Sequence, residues 1–354
     1  FGNEAAEKLT EAREMVASCL GAKAGEIYFT SGGSEADNQV IRSAAFYGAK
    51  KGKKHLISTK FEHHAVLHTL DKLKKHGFEV TLLDVHEDGL VRVDELKAAL
   101  REDTALVTIM FANNEIGTVQ PIAEIGAICR EAGIPFHVDA VQAIGHVHVN
   151  VEEQNIDMLS LSGHKFHGPK GVGALYVRRG SILLKNLIEG GGQEKGKRAG
   201  TENLGGIYSM AVAMKESVDN LEANTAKVLP MRERLLDGIL KIEKTILNGD
   251  RNQRLPGNIN VCFRGIEGEG MLLYLDMFGI AGSSGSACTS GSLDPSHVLL
   301  SLGLPHEIAH GSLRLSLSEY NTDEEVDYVL EKLPQVIAKL RAMSPIWKSI
   351  QEET

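Results

Sequence analysis

The chain has 354 residues, 42% of them apolar and 24% charged, the balance of a soluble globular protein with two domains or one large α/β unit. Its 38 Lys and Arg against 47 Asp and Glu leave a net charge of −9, which argues against nucleic acid as a partner, because that needs clustered positive charge. No apolar run reaches the roughly 18 residues of a membrane span, no secretory signal opens the sequence, and four dispersed cysteines without a CxxC pair exclude a disulfide scaffold and a Cys-based zinc module and fit a reducing cytoplasm.

Residues 4–20 read as a helix with Leu9, Ala12, Val16, Cys19 and Leu20 on one face. Ile27–Thr30 predicts a short strand that runs through Ser31-Gly32-Gly33-Ser34 into a helix from about Glu35. His55–Ser58 reads as a strand and 63–76 as a helix. Val80–Leu83 and Ala105–Phe111 are apolar strands, and Pro121–Ala132 is a helix with proline in its first turn. Phe136–Asp139, Met158–Leu161 and Ala174–Val177 continue the strands. This alternation predicts an α/β fold with a mainly parallel sheet covered on both faces. The pattern changes after about residue 222. A charged helix over 225–243, a strand Asn258–Phe263 and a helix Glu267–Met277 come next. A Gly/Ser-rich loop over 282–292, a helix from Asp294, a strand Ser312–Leu317 and a helix over 323–342 complete the chain. A large domain over 1–222 and a smaller α+β C-terminal domain over 223–354 are therefore expected.

Five segments carry chemistry. At Thr30–Ala36 the glycines let backbone approach a ligand, and the helix start offers N–H groups and a positive dipole end suited to phosphate; Ser34 either adds a hydroxyl or caps the helix. In Ser160–Gly171, Lys165 follows the end of an apolar strand, where desolvation suits a lysine to Schiff-base chemistry. Lys170 competes, but its Gly-Pro-Lys-Gly turn reads as surface. Asp139 ends the strand Phe136–Asp139; it either caps the next helix or holds a pyridine nitrogen protonated opposite such a lysine. In Glu62–His68, His64 and His68 stand four apart, yet there is no HExxH and no third ligand, so no metal site is expected; a histidine at this place can instead stack on an aromatic cofactor. The small, polar run Ser283–Gly291 holds Cys288 as an exposed reactive thiol, in contrast to Cys262 in its apolar strand. Between Gly190 and Asn203, glycines and charges predict a loop that projects from the fold.

In this order the motifs resemble the cysteine desulfurases of the NifS/IscS type, in the class V aminotransferase-like branch of pyridoxal-phosphate enzymes. The resemblance runs from about Gly2 to the C-terminal helix. It rests on Thr-Ser-Gly-Gly-Ser-Glu at 30–35, Glu-His at 62–63, Asn-Asn-Glu-Ile-Gly at 113–117 and His-Val-Asp-Ala-Val-Gln at 137–142. Ser-Gly-His-Lys at 162–165, Arg-Ala-Gly-Thr-Glu-Asn at 198–203, Ser-Gly-Ser-Ala-Cys at 284–288 and Ser-Leu-Arg-Leu-Ser-Leu at 312–317 complete it. It implies pyridoxal-phosphate fold type I and pyridoxal 5′-phosphate as cofactor. By the same resemblance Lys165 carries the cofactor aldehyde, Asp139 pairs with the pyridine nitrogen, Gln142 faces the ring hydroxyl, and His63 stacks on the ring and helps move protons. The Gly33 backbone, Ser34, Ser162 and His164 hold the phosphate, and Thr201 reaches the phosphate of the other subunit in a homodimer. Asn114, beside the cofactor, and Arg314 bind the substrate carboxylate, and Cys288 is the nucleophile. The implied reaction converts L-cysteine to L-alanine with a persulfide on Cys288. The sulfur then goes to an iron–sulfur scaffold or another acceptor protein, for cluster assembly or thiolation. Ser34 stands where threonine is commoner and Ser318 where glycine is usual; neither removes a needed functional group. The family also carries a few tens of residues before the point that matches Phe1, including a short segment that helps wall the substrate site.

Overall fold

The computed structural model describes residues 2–285 and 295–352, and it divides into two compact units. The first comprises 1–84, 91–112 and 120–221, the second 85–90, 113–119 and 222–354. Two segments that a single cut near residue 222 leaves with the first unit, 85–90 and 113–119, thus group with the second.

In the first unit the chain runs α1 (Gly2–Leu20), β1 (Ile27–Thr30), α2 (Gly33–Ala49), β2 (His55–Thr59), α3 (His64–Lys74), β3 (Glu79–Leu83) and α4 (Val93–Ala99). It continues with β4 (Thr104–Thr108), α5 (Ile122–Glu131), β5 (Phe136–Asp139), β6 (Met158–Ser162), β7 (Gly173–Val177), the single turn α6 (Gln193–Gly196) and α7 (Leu204–Asp219). The seven strands form one sheet in the order β1-β7-β6-β5-β4-β2-β3. From β6 to β3 neighbours are parallel, while β7 runs antiparallel to both β6 and β1. Every residue of β2, β4, β5, β6 and β7 is buried, as expected of a sheet covered on both faces, and the polar residues in them, His55, His137, Asp139 and Ser160 among others, are buried with the rest. On one face Ala36, Val40, Ile41 and Ala44 of α2 pack with Val66, Leu70 and Leu73 of α3 against Leu56, Leu106 and Leu175 of the sheet. The helix lies close enough that a Cβ on Gly48 would come within 2.4 Å of the Ala105 Cβ.

The topology gathers loop sequences at one sheet edge. Thr30 at the end of β1 pairs with Gly173 at the start of β7, which pairs in turn with Ser162 at the end of β6. The C-terminal ends of β1, β6, β5, β4 and β2 therefore share that edge, where ligands collect in open α/β sheets.

The second unit holds α8 (Leu221–Ile239, joining at Glu222), β8 (Thr245–Leu247), β9 (Asn258–Phe263), α9 (Gly268–Asp276), α10 (His297–Ser301), α11 (His306–Ala309), β10 (Ser312–Ser316), α12 (Asp323–Met343) and α13 (Trp347–Glu352). Its antiparallel sheet has the order β10-β9-β8. Leu235, Leu236 and Ile239 of α8, Val261 and Phe263 of β9, Met271 and Leu275 of α9 and Leu333, Val336 and Ile337 of α12 form its core. The segment 113–119 threads against β9: the Asn258 and Asn260 amides both donate to the Glu115 carbonyl at 3.0 Å. Gly117 (φ +76°) is required there, because a Cβ would fall 2.4 Å from the Asn258 Oδ1. Among the described residues no helix is long and apolar enough to cross a membrane.

Candidate active site

In the first unit the start of α2 forms a cradle at the sheet edge. Gly32 is its N-cap with φ +152° and ψ −178°, a conformation open to glycine alone, and it puts the first turn of α2 beside Ser162. A Cβ on Gly32 would lie 3.5 Å from the Ser162 Oγ, and one on Gly33 would overlap the Val141 Cγ2 at 2.5 Å. Gly33 is thus buried where α2, the turn after β5 and the end of β6 meet. Ser34 is exposed and sits inside the first turn; because Gly32 takes the cap, Ser34 does not cap the helix. First-turn N–H groups have no acceptor within their own helix, and the dipole end favours an anion.

Asp139 closes β5 and is buried, with no helix behind it to cap; its Oδ1 accepts from the Val141 N–H at 3.0 Å. Burial pushes its carboxyl up to about 6, while the Val141 N–H and the Lys165 ammonium pull it down. Gln142 follows, half-buried, in the same turn. Lys165 is half-buried in the 3-10 turn Gly163–Phe166, whereas Lys170 is exposed. That turn rests on α7. A Cβ on Gly163 would approach the Met210 Cγ to 2.9 Å, and the Ser217 Oγ donates to the Phe166 carbonyl. His164 is exposed; partial burial and then the charges of Lys165 and Lys170 lower its pKa. His63 is the N-cap of α3, its Nδ1 accepting from the Ala65 N–H at 3.1 Å, so the neutral ring carries its proton on Nε2. His64 and His68 stack on each other at 4.9 Å between centroids, and the described residues contain no cluster of metal-ligating groups.

Beneath this edge lies a buried polar network whose pairings the sequence motifs do not announce. Glu62 accepts from the Thr59 hydroxyl at 2.7 Å and the Met110 N–H at 3.0 Å, tying the end of β2 to the chain just beyond β4. His137 bridges Thr108 (2.8 Å) and Ser160 (3.0 Å) across β4, β5 and β6, and burial lowers it to about 3, so its ring is neutral. Asp37 on α2 is buried above it, with Oδ1 at 3.7 Å from the His137 Nε2. Burial and then the Asp139 charge raise the Asp37 carboxyl well above its usual range, against the Ser160 hydrogen bond. Burial likewise pushes Glu62 up to about 8, opposed by Thr59 and Met110. The Glu62 pKa is raised on folding, so its contribution to stability is complete below about 4.5 and is lost as pH rises to about 8. Glu62→Gln is therefore expected to flatten the fall of apo-protein stability across that window, by about 4 kcal/mol at its upper end. Denaturant titrations at pH 5 and pH 8.5 measure this, and equal pH dependence in the two proteins would contradict it.

The loop expected to project is instead pinned. Glu194 and Ala199 are buried, whereas Thr201 is exposed just before α7. Glu194 (φ +46°) and Lys195 (φ +57°) are consecutive left-handed non-glycine residues, a strain of about 1–3 kcal/mol each. Arg198 forks onto Glu35 in the first turn of α2 at 2.9 and 3.3 Å.

In the second unit Arg314 is half-buried on β10, and its Nη1 donates to the Asn114 carbonyl at 2.8 Å. The Asn113 side chain shapes this turn by accepting from the Glu115 and Ile116 N–H groups. Arg314 also acts electrostatically on the Glu115 carboxyl, and among the described residues it forms no ion pair. Its fork then suits a substrate carboxylate. Arg314→Ala is expected to weaken the binding of a carboxylate-bearing ligand about 10- to 100-fold; unchanged binding would remove Arg314 from that role. Cys288 lies outside the described residues.

The donor set of the first unit fits pyridoxal phosphate. It offers a glycine-lined anion cradle in which Gly32 takes a backbone conformation that side-chain-bearing residues rarely adopt and a Cβ at position 33 would overlap Val141, a buried carboxylate for a protonated ring nitrogen, and a lysine close enough to act on that carboxylate.

The aminotransferase class-V family profile matches residues 1–329. A protein named cysteine desulfurase IscS from Clostridium botulinum is 56% identical over 351 residues, which cover 98% of this chain and 88% of the relative. A solved structure described as a NifS-like protein superposes with a TM-score of 0.89 at 38% identity, over 96% of this chain and 90% of the other. Another, described as SspA in complex with cysteine, gives a TM-score of 0.78 at 38% identity, over 91% of this chain and 89% of the other.

Proposed function

Because the chain belongs to the class-V aminotransferase family and, within it, is a cysteine desulfurase, we propose that it takes sulfur from L-cysteine with pyridoxal 5′-phosphate held at the C-terminal edge of its seven-stranded sheet. What carries the cofactor assignment is the shared placement of Lys165, Asp139 and the start of α2 at that edge. When bound, the cofactor supplies an electron sink for a negative charge on the substrate Cα. The chain's own residues do the rest. The Gly33 backbone, Ser34, Ser162 and His164 hold the phosphate, and Thr201 adds a contact from the second subunit of a homodimer. Asp139 would pair with the ring nitrogen, Gln142 with the ring hydroxyl, and His63 would stack on the ring. Asn114 and Arg314 hold the substrate carboxylate, which selects an α-amino acid.

Lys165 Nζ takes the proton from the substrate Cα. The Cys288 thiolate attacks the substrate Sγ, an S–S bond forms, and the C–S bond breaks with its electron pair left on Cβ, which is then protonated. L-Cysteine and the Cys288 thiol become L-alanine and a Cys288 persulfide, so atoms and electrons balance. The persulfide sulfur passes to an acceptor protein, an iron–sulfur scaffold or a thiolation partner. The three described cysteines are free thiols, which supports a cytoplasmic setting. The test is L-alanine release from L-cysteine by protein reconstituted with pyridoxal phosphate. Alanine should accumulate together with sulfide when a reductant is present. A coloured holoprotein that yields no alanine would reject the reading.

A further inference from the structure

An irregular stretch of the first unit, around Glu194, is also tightly clamped. Glu194 sits in the loop between β7 and α7 with only 3% of its side chain exposed, and its partner Arg13 on α1 is 13% exposed. The contact is a two-pronged fork: Arg13 Nη1 to Glu194 Oε2 and Nη2 to Oε1, each at 2.7 Å. The same Glu194 Oε2 accepts the Phe29 N–H of β1 at 2.9 Å, and Arg13 Nη1 also donates to the Ile27 carbonyl at 2.8 Å. The Arg13 guanidinium lies 4.6 Å from the centroid of the Phe29 ring. Next to it, Lys195 donates to the Gly25 carbonyl at 2.8 Å. One carboxylate thus joins α1, β1 and a loop 181 residues away in sequence. It does so with the backbone at 194 and 195 in a left-handed conformation that neither residue favours.

A surface loop needs no such clamp to connect a strand to a helix. What the clamp achieves is seen seven residues later. Arg198 is held on Glu35, Gln39 donates to the Lys197 carbonyl at 2.8 Å, and Thr201 emerges exposed three residues beyond this fixed stretch. A hydroxyl presented outward from a rigid base is preorganised for a ligand that its own fold does not supply. We infer that Arg13 and Glu194 are positioning residues for the cofactor of the other subunit: their buried fork sets the loop that presents Thr201 to the phosphate held by a second copy of the chain. This rests on the proposed trans contact of Thr201, and the experiment separates the two.

Heterodimers in which one chain carries Lys165→Ala keep a single covalent cofactor site, on the other chain. Glu194→Gln is placed either on the Lys165→Ala chain, across the interface from that site, or on the chain that owns it. Release of pyridoxal phosphate is followed by absorbance, without substrate. Across the interface the variant is expected to speed release about 10- to 100-fold, the loss of one hydrogen bond to a charged group. On the owning chain release should stay near the reference. The opposite order, or equal effects, would overturn the inference, since damage that is merely structural acts on the chain that carries it. Arg13→Lys, which keeps the charge but loses the fork, should give the same order with a smaller effect and covers the case in which Glu194→Gln fails to fold. Thr201→Ala in the same two placements tests the underlying contact. No trans effect of Thr201→Ala removes that contact and the inference with it. A trans effect of Thr201→Ala without one from the clamp variants overturns the inference alone.

Discussion

Exchanging Cys288 for serine is expected to lower sulfur transfer from L-cysteine by at least about a thousandfold while the cofactor stays bound. The other three cysteines exclude themselves. Burial pushes the Cys19 thiol up to about 11, Cys129 up to about 12 and Cys262 up to about 11. A thiol near 11 is ionised to about one part in ten thousand at neutral pH, and the thiolate is the nucleophile. Cys262 is further occupied, its Sγ lying 3.2 Å from the Asn248 amide that donates to it. Cys288 remains, in a run of small polar residues. The described chain that leads to it is anchored: Ser283 exchanges both backbone hydrogen bonds with Arg314, and the Gly285 N–H donates to the Ser312 hydroxyl at 3.0 Å. The segment therefore departs from the strand that bears the proposed carboxylate anchor. Sulfide release measured with a reductant decides the matter, and a rate unchanged by Cys288→Ser would disqualify Cys288.

Lys165→Ala should produce a comparable collapse, at least about a thousandfold in alanine formation, through loss of both the covalent tether and the group that moves the Cα proton. The structure separates it from its rival in the same loop. Lys165 is half-buried in a turn braced by α7 and acts electrostatically on Asp139, whereas Lys170 is exposed. Borohydride reduction of the holoprotein followed by peptide mapping should place the pyridoxyl group on Lys165. A label on Lys170 would displace the site.

Strands proved most legible in the sequence. Phe136–Asp139 and Asn258–Phe263 coincide with β5 and β9 to the residue, short segments rich in β-branched and aromatic residues set between turns. The charged helix expected over 225–243 is α8 at 221–239; a solvated helix with few apolar positions carries little to mark its ends, and Pro230 lies inside it. The strand β8 escaped notice because three half-buried residues on a sheet edge leave almost no pattern. In the site, residues in local motifs were readable one motif at a time. Asp37, Ser160, His137 and Thr108 were not, since only sheet register and the crossing of α2 set them side by side. Nor did spacing betray Glu194, whose partners lie 165 and 181 residues away. A buried-charge signal was present all the same: Asp37 and Glu62 each stand next to apolar residues, Ala36 and Phe61, that go fully into the core.

The most direct measurement is a single turnover with L-cysteine labelled at sulfur, in the absence of reductant, with alanine counted and the protein mapped by mass. The expected result is about one alanine per cofactor-loaded site and one labelled sulfur atom added to the peptide that holds Cys288. Alanine formed with the label on another cysteine, or with no protein-bound sulfur at all, would contradict a desulfurase that works through Cys288.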